Sequence, residues 1–123
     1  MASFNRALLI GNVGGEPEIR YTAAGKAVAN FSLATSEKVL NKETGERVEK
    51  TEWHNIVLWD KQAETAAEYV KKGSLLHIEG RLQTRKWTDK AGVERSITEI
   101  VAERFQLLDK KSTSSTPVYP DGE

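Results

Sequence analysis

Residues 51–59 read T-E-W-H-N-I-V-L-W, and this stretch has the alternation of a half-buried strand. Successive side chains of a strand point to opposite faces, so Trp53 and Trp59 share one face while Ile56 and Leu58 share the other. The apolar face suits a protein core. The aromatic face suits either a binding surface or a second packed layer, and the rest of the sequence has to decide between them.

The residues that follow predict one helix over 61–70. Asp60 is a candidate N-cap, and Lys71-Lys72-Gly73 is a typical helix end, with cations followed by glycine. The spacing i, i+3, i+4, i+7 gives an apolar stripe for packing against a sheet, made of Ala63, Ala66, Ala67 and Val70.

The remainder reads as short strands separated by turns. The polar segment 37–52 predicts a long exposed hairpin with its tip at Asn41–Gly45, and Asp89–Gly92 predicts a second turn. Strands are predicted at 4–13, 18–21, 27–36, 53–59, 75–88 and 93–108, of which 18–21 is very short.

Two strands carry information about their surroundings. Residues 4–13 are apolar on both faces, so both faces are expected to be covered. In 75–88, Leu76, Ile78 and Leu82 are expected to face inward, unless Gly80 marks a bulge that resets the alternation. In the last strand, the residues expected to share one face are Ile97, Val101, Phe105 and Leu107.

The order of long elements is three strands, one helix and two strands. This is the order of the all-β OB-fold, a five-stranded Greek-key barrel with a helix between strands 3 and 4, whose open face and loops bind oligonucleotides or oligosaccharides. Residues 1–108 are therefore assigned to one OB-fold domain. Residues 109–123 are rich in Ser, Thr and Pro and lack any period, so they are expected to form a flexible tail.

Composition excludes several classes of site. The 123 residues contain no cysteine, which rules out disulfides and thiolate metal ligands. His54 and His77 lack paired ligands, so neither a metal nor a cofactor is expected. We find no catalytic motif and expect no enzyme activity. The N-terminus shows no signal-peptide pattern, and a cytoplasmic protein is expected.

Charge is balanced overall but uneven along the chain. The 18 basic and 18 acidic residues give a net charge of zero, yet Lys71–Arg95 contains seven basic and three acidic residues. Such a local basic stripe is enough to attract a phosphate backbone. Trp87 lies within it, next to Arg85 and Lys86. A ring that stacks on a base beside a cation that meets a phosphate is the pattern of single-strand recognition.

Several sequence blocks resemble the bacterial single-stranded DNA-binding proteins over about residues 4–108. The blocks occur in the family's order, which makes the resemblance specific. They are L-I-G-N-V-G-G-E-P-E-I-R-Y at 9–21, A-N-F-S-L-A-T-S-E at 29–37, T-E-W-H-N-I-V-L-W-D-K at 51–61, E-Y-V-K-K-G-S-L-L-H-I-E-G-R-L at 68–82 and T-R-K-W-T-D-K-A-G at 84–92.

The resemblance implies roles for individual residues. Trp53 and Trp87 match stacking aromatics, and Trp59 stands where the family usually has Phe. His54 matches a histidine at a subunit interface, because the family typically forms homotetramers. Basic positions near the bound strand are matched by Arg20, Lys42, Lys61, Lys72, Arg85 and Lys86. Val39 departs from the family's usual aromatic, and the chain ends in Pro-Asp-Gly-Glu without the family's acidic Pro-Phe tip.

The expected function is sequence-independent binding of single-stranded DNA that protects exposed strands in replication, recombination and repair. Replication and repair proteins are possible partners, and no membrane partner is expected. The alternatives are an OB-fold module that binds protein or oligosaccharide, and a small nuclease. Because the first strand is apolar on both faces, Leu8 and Ile10 are expected to join His54 at the contacts of a homotetramer.

Overall fold

The computed structural model describes residues 2–108, and the expected tail at 109–123 lies outside them. The five long predicted strands, the short strand at 18–21 and the single helix are all present. Counting the long strands alone, the helix lies between the third and the fourth, as predicted. The elements are β1 Ala7–Val13, β2 Glu18–Tyr21, β3 Ala27–Leu40, β4 Arg47–Trp59, α1 Asp60–Tyr69, β5 Leu75–Thr88 and β6 Glu94–Leu107.

The five long strands form a closed barrel because β1 pairs on both of its edges. One edge of β1 runs antiparallel to β5, and the other meets β3 through Asn12 opposite Ala34 and Val13 opposite Leu33. The circuit is β1-β5-β6-β4-β3 and back to β1, with β2 on the outer edge of β3. The β4–β6 pair is the parallel one. The predicted five-stranded barrel with one helix is confirmed.

The inner faces of the strands fill the barrel with aliphatic side chains, and α1 packs on them. Burial of one such side chain contributes roughly 1.5–3 kcal/mol, so the interior is the main source of stability. The largest fully buried side chains are Leu33, Ile56, Leu58, Leu76, Ile78 and Val70. Their alternation along β3, β4 and β5 matches the prediction for these strands, and the apolar face of β4 is the inner one.

A bulge between β5 and β6 changes the side-chain alternation of β6 and leaves that of β5 intact. Glu79 pairs with Arg104 and Gly80 pairs with Ala102, so Glu103 is the extra residue. The pairing irregularity foreseen at Gly80 is present, but its inserted residue is on β6, so the alternation of β5 is not reset. Leu82 lies on the inward side of β5, opposite Ile100, and is 48% exposed at the rim of the barrel.

The same bulge divides the apolar set expected to share one face of the last strand. Phe105 lies opposite Ile78 on the core side, whereas Val101 lies opposite Arg81 on the outer side. The predicted single face of Ile97, Val101, Phe105 and Leu107 is wrong. The strand changes faces at Glu103, and from β6 the buried core receives Ile100 and Ala102.

The helix begins one residue earlier than predicted. Asp60 is its first residue and has a positive φ of 59°, and the N-cap position is Trp59, which makes no side-chain cap hydrogen bond. The expected capping role of Asp60 is wrong. Ala63 and Ala66 are fully buried, but Ala67 is exposed, so the apolar stripe is narrower than its spacing indicated.

The first strand is covered on one face in this single chain. Leu9 packs against the core and Val13 is part of it. Leu8 and Ile10 are 62% and 58% exposed. The expectation that both faces are covered is therefore not met within one subunit, and an apolar strip remains on the outside of the barrel.

Two hairpins extend from the barrel. The β3–β4 pairing continues without interruption to Leu40 opposite Arg47, and the β5–β6 pairing continues to Thr88 opposite Glu94. The second turn is closed by the Asp89 carboxylate, whose Oδ1 accepts hydrogen bonds from the N–H groups of Ala91 and Val93. Both predicted turns are confirmed.

We predict that Gly80→Ala will lower the free energy of unfolding. A Cβ built at Gly80 would meet the Val101 carbonyl and lie 2.9 Å from the Ala102 Cα. These are backbone atoms that cannot rotate away, and overpacking of a core costs typically about 1–3 kcal/mol. Urea denaturation measures the loss.

Gly15→Ala is the matched control for this prediction, because a Cβ at Gly15 meets nothing within 4 Å. Equal midpoints for the two variants would contradict a close backbone approach at the bulge.

Candidate functional site

The predicted tryptophans share one surface, which we call the outer face. The strand registers bring the outward side chains of four adjacent strands side by side. The outer face consists of Val28, Asn30, Ser32 and Ala34 from β3, Trp53, Asn55, Val57 and Trp59 from β4, Gln83, Arg85 and Trp87 from β5, and Arg95, Ile97, Glu99 and Val101 from β6.

The Trp53 ring is exposed, and the backbone at Gly14 approaches its inner edge. Trp53 is 58% exposed and lies opposite Ala34 on β3. A Cβ built at Gly14 would lie 2.6 Å from the Trp53 Cζ3 and 2.7 Å from the Ser32 Oγ. The Gly14 N–H donates to the Ser32 carbonyl, so the chain after β1 passes close against the ring. The absence of a side chain at Gly14 is what leaves room for Trp53.

Trp59 forms one wall of a groove of about 370 Å³, which we call groove A. The ring is 39% exposed. Arg20 and Tyr21 from β2 border the groove on one side, and Gln83 and Arg85 from β5 border it on the other. An aromatic wall between two arginines can receive a flat ring and an anion together.

A second groove, groove B, adjoins groove A and measures about 310 Å³. It runs between the segment 15–18 and the outward side chains of β4 and β6. Asn30, Val57, Arg85 and Glu99 line both grooves, and we call these four residues the junction.

The junction contains a buried acid paired with a more exposed base. The Arg85 Nε donates to the Glu99 Oε1 at 2.8 Å, and the Glu99 side chain is 5% exposed. A buried carboxylate requires such a partner. The positive charge of Arg85 is thus offset within the surface, and the centre of the outer face is close to neutral.

Trp87 lies on the extended β5–β6 hairpin, outside both grooves. It is 46% exposed and lies opposite Arg95. The Arg95 Nε donates to the Asp89 Oδ2 at 2.9 Å. This hydrogen bond, with the N–H groups of Val93 and Ala91, holds the pKa of Asp89 below its usual range.

The predicted cations are dispersed. Arg20 and Arg85 face each other across groove A. Lys86 lies opposite Ser96 and projects from the face of β5 opposite to Trp87, because neighbouring side chains on a strand alternate. Strand geometry therefore does not bring the Lys86 side chain next to the Trp87 ring, and the expectation that they act together is not met.

The other three lysines lie on connecting elements. Lys42 is at the tip of the β3–β4 hairpin, and Lys72 is in the turn after α1. Lys61, in the first turn of α1, borders a separate groove with Arg104 and Phe105. Their roles toward a bound strand stay predictions.

The predicted interface residues lie on two different faces. His54 is half-buried on the inner side of β4, and its Nε2 shares a hydrogen bond of 2.9 Å with the Thr35 Oγ1. Leu8 and Ile10 lie on the outside of β1, opposite Glu79 and His77.

An ion-pair network borders the apolar strip of β1. Glu79 accepts from Arg6 and pairs with Arg104. The hydrogen bond from Arg6 is the main cause that lowers the pKa of Glu79. Leu8, which lies opposite Glu79, is thus flanked by fixed charges.

Sequence reasoning missed three residues of the outer face. Glu99 and Asn30 line the junction, and Arg95 lies across from Trp87. Alternation along β3 could have placed Asn30 outward, since Ala29 and Phe31 face the core. Glu99 and Arg95 required the β5–β6 register, which the bulge shifts.

The described part of the chain lacks two kinds of feature. Residues 2–108 contain no group of three or more His, Cys, Asp or Glu side chains placed to hold a metal ion. Within the same residues, no helix has the length and apolar character needed to cross a membrane.

Comparison with known proteins gives one family and a similar solved structure. The family model for the single-strand binding protein family matches residues 4–108. The chain is also similar to a Plasmodium falciparum single-strand binding protein solved in complex with single-stranded DNA, at 38% sequence identity and a TM-score of 0.80. That match covers 89% of this chain and 98% of the other.

We predict that Gly14→Ala will displace the Trp53 ring, because the added methyl group occupies the space the ring uses. The near-ultraviolet circular dichroism of tryptophan should change, and any ligand that stacks on Trp53 should bind more weakly. Gly15→Ala adds the same methyl group one residue away in open space. If both variants retain the wild-type spectrum, Gly14 does not position the ring.

Proposed function

The chain belongs to the single-strand binding protein family, and we propose that it binds single-stranded DNA without base preference, through stacking on Trp53, Trp59 and Trp87. The observation that carries this proposal is the placement of three partly exposed tryptophans on one continuous face. Exposed Trp rings are costly in water, and stacking on bases removes that cost.

Phosphate contacts are proposed for cations around the edge of this face. Arg20 borders groove A beside Trp59, and Arg85 is the junction's own cation. The remaining candidates lie on the hairpin, helix and turn elements and on the far face of β5: Lys42, Lys61, Lys72 and Lys86. Each phosphate contact should make the affinity for a single strand fall with salt, with a slope of about −0.7 in log affinity against log salt.

The proposed activity is binding, with no catalysis. By covering unpaired strands, the protein would protect them during replication, recombination and repair. A protein with this role would be cytoplasmic and nucleoid-associated, and replication and repair proteins would be its partners. We assign the binding activity to residues 1–108.

The experiment that tests this function is a titration with oligo(dT) followed by intrinsic tryptophan emission. Strong quenching that weakens with salt, without cleavage of the oligonucleotide, is the expected result. Cleavage would indicate a nuclease. Binding of an oligosaccharide or a protein in place of DNA would indicate one of the alternative OB-fold functions.

Each of the substitutions Trp53→Ala, Trp59→Ala and Trp87→Ala should weaken binding to oligo(dT) by roughly 1–3 kcal/mol, the usual contribution of one stacked base. Isothermal titration calorimetry measures the loss. Tyr69→Ala is the matched control, because Tyr69 is an exposed aromatic residue of α1 away from the outer face. A Trp variant that binds as well as Tyr69→Ala would remove that ring from the site.

We further propose that the protein is a homotetramer. Leu8 and Ile10 form an apolar strip on the outside of β1, and burial against another subunit would cover it. His54 is proposed as a second contact. Linking several barrels makes one multivalent surface, which raises affinity for long strands more than for short ones.

The double substitution Leu8→Lys and Ile10→Lys should convert the tetramer into smaller species, because it places two charges in a contact that would bury apolar side chains. The isolated barrel should remain folded, since both positions are exposed within one chain. His54→Lys should also shift the tetramer toward smaller species. Light-scattering mass against dilution measures the change.

Leu40→Lys serves as the control, because Leu40 is equally exposed but lies on the β3–β4 hairpin. A wild-type protein that is monomeric at micromolar concentration would contradict the assembly and leave the binding proposal intact.

A further inference from the structure

The junction between the two grooves holds two hydrogen-bond acceptors, Glu99 and Asn30, of which Asn30 has no donor. Glu99 is 5% exposed, and among residues 2–108 its side chain has one hydrogen-bonding partner, the Arg85 Nε. The Asn30 Oδ1 is buried and has no partner. Buried acceptors are normally satisfied, so each exception calls for an explanation.

We propose that the junction receives the Watson–Crick edge of a nucleobase, which donates an N–H group to Glu99 and Asn30. The inference rests on the proposed function and specifies which part of the nucleotide enters the grooves. Both acceptors line groove A, whose wall is Trp59, so a base stacked on that ring would bring its edge over them.

The acceptors select a base over a phosphate for this position. A phosphate carries acceptor oxygens and negative charge, and both would be repelled by the Glu99 carboxylate. The Arg85 Nε is bonded to Glu99, so this cation offers a phosphate only its Nη groups. The phosphates would therefore lie at the periphery of the junction, toward Arg20 and these Nη groups.

Acceptors are also compatible with binding that ignores sequence. Each of the four bases presents at least one N–H donor on its Watson–Crick edge: N3–H of thymine, N1–H of guanine, and the amino groups of cytosine and adenine. A carboxylate and an amide oxygen can accept from any of them. The junction would thus add hydrogen bonds without choosing a base.

The test compares short oligo(dT), of about eight nucleotides, with the same strand made from N3-methylthymidine, which lacks the N3–H donor. Wild-type protein should bind the methylated strand more weakly by roughly tenfold or more, as expected for a lost hydrogen bond to a charged acceptor. In Glu99→Gln, the ratio of the affinity for unmodified oligo(dT) to the affinity for the methylated strand should shrink towards one. Glutamine keeps an oxygen for Arg85 and replaces the other carboxylate oxygen with a donor.

Two further variants test which residues set this ratio of affinities. Asn30→Ala removes the unpartnered acceptor and should also reduce the ratio. Lys72→Ala changes a distant cation, so it should leave the ratio at the wild-type value even if both affinities fall. Any change in affinity that arises from net charge affects both strands alike and cancels in the ratio.

Equal ratios for wild type and Glu99→Gln would overturn the inference, because the methyl group would then act by bulk alone. A wild-type ratio of one would overturn it as well. In both cases oligo(dT) would still bind, so the proposed function would stand. Failure of wild type to bind unmodified oligo(dT) would refute the function and the inference together.

Discussion

The structure depends on the closure of the sheet onto itself through the two edges of β1. That strand pairs with β5 along one edge and meets β3 at its end along the other. Closure requires backbones to approach where a side chain would not fit: a Cβ at Gly11 would strike the Ala34 carbonyl, and one at Gly80 would strike the Val101 carbonyl. Once the sheet is closed, each strand has an inside and an outside. Aliphatic side chains occupy the inside, and the tryptophans are left outside.

The outer face combines aromatic rings with an almost neutral centre. Glu99 offsets Arg85 where the two grooves meet, and the other cations lie on elements around this region. This arrangement explains how a protein with 18 basic and 18 acidic residues can present a surface suited to a nucleic acid. Bases would occupy the centre, where acceptors and rings are, and phosphates would lie at the periphery.

The predictions made from sequence succeeded where one local pattern determined the result. Alternation in 53–59 placed Trp53 and Trp59 on one face of the strand and Ile56 and Leu58 on the other. The turns at Asn41–Gly45 and Asp89–Gly92 followed from their residue types. The predictions failed where the result depended on how two strands align. The inserted Glu103 shifts β6 by one residue, and no local pattern in 93–108 reveals it. The common face predicted for Val101 and Phe105 was wrong for this reason.

The sequence by itself determined the order of the elements, the family and the outward parity of the tryptophans on β4, because these depend on residue type and spacing. The tertiary structure alone decided that Glu99 and Asn30 line groove A together, that Gly14 makes room for Trp53, and that Arg95 lies opposite Trp87. Each of these relations joins residues through strand pairing or close packing. Pairing register is set by the closed barrel as a whole, so it cannot be read from any one segment.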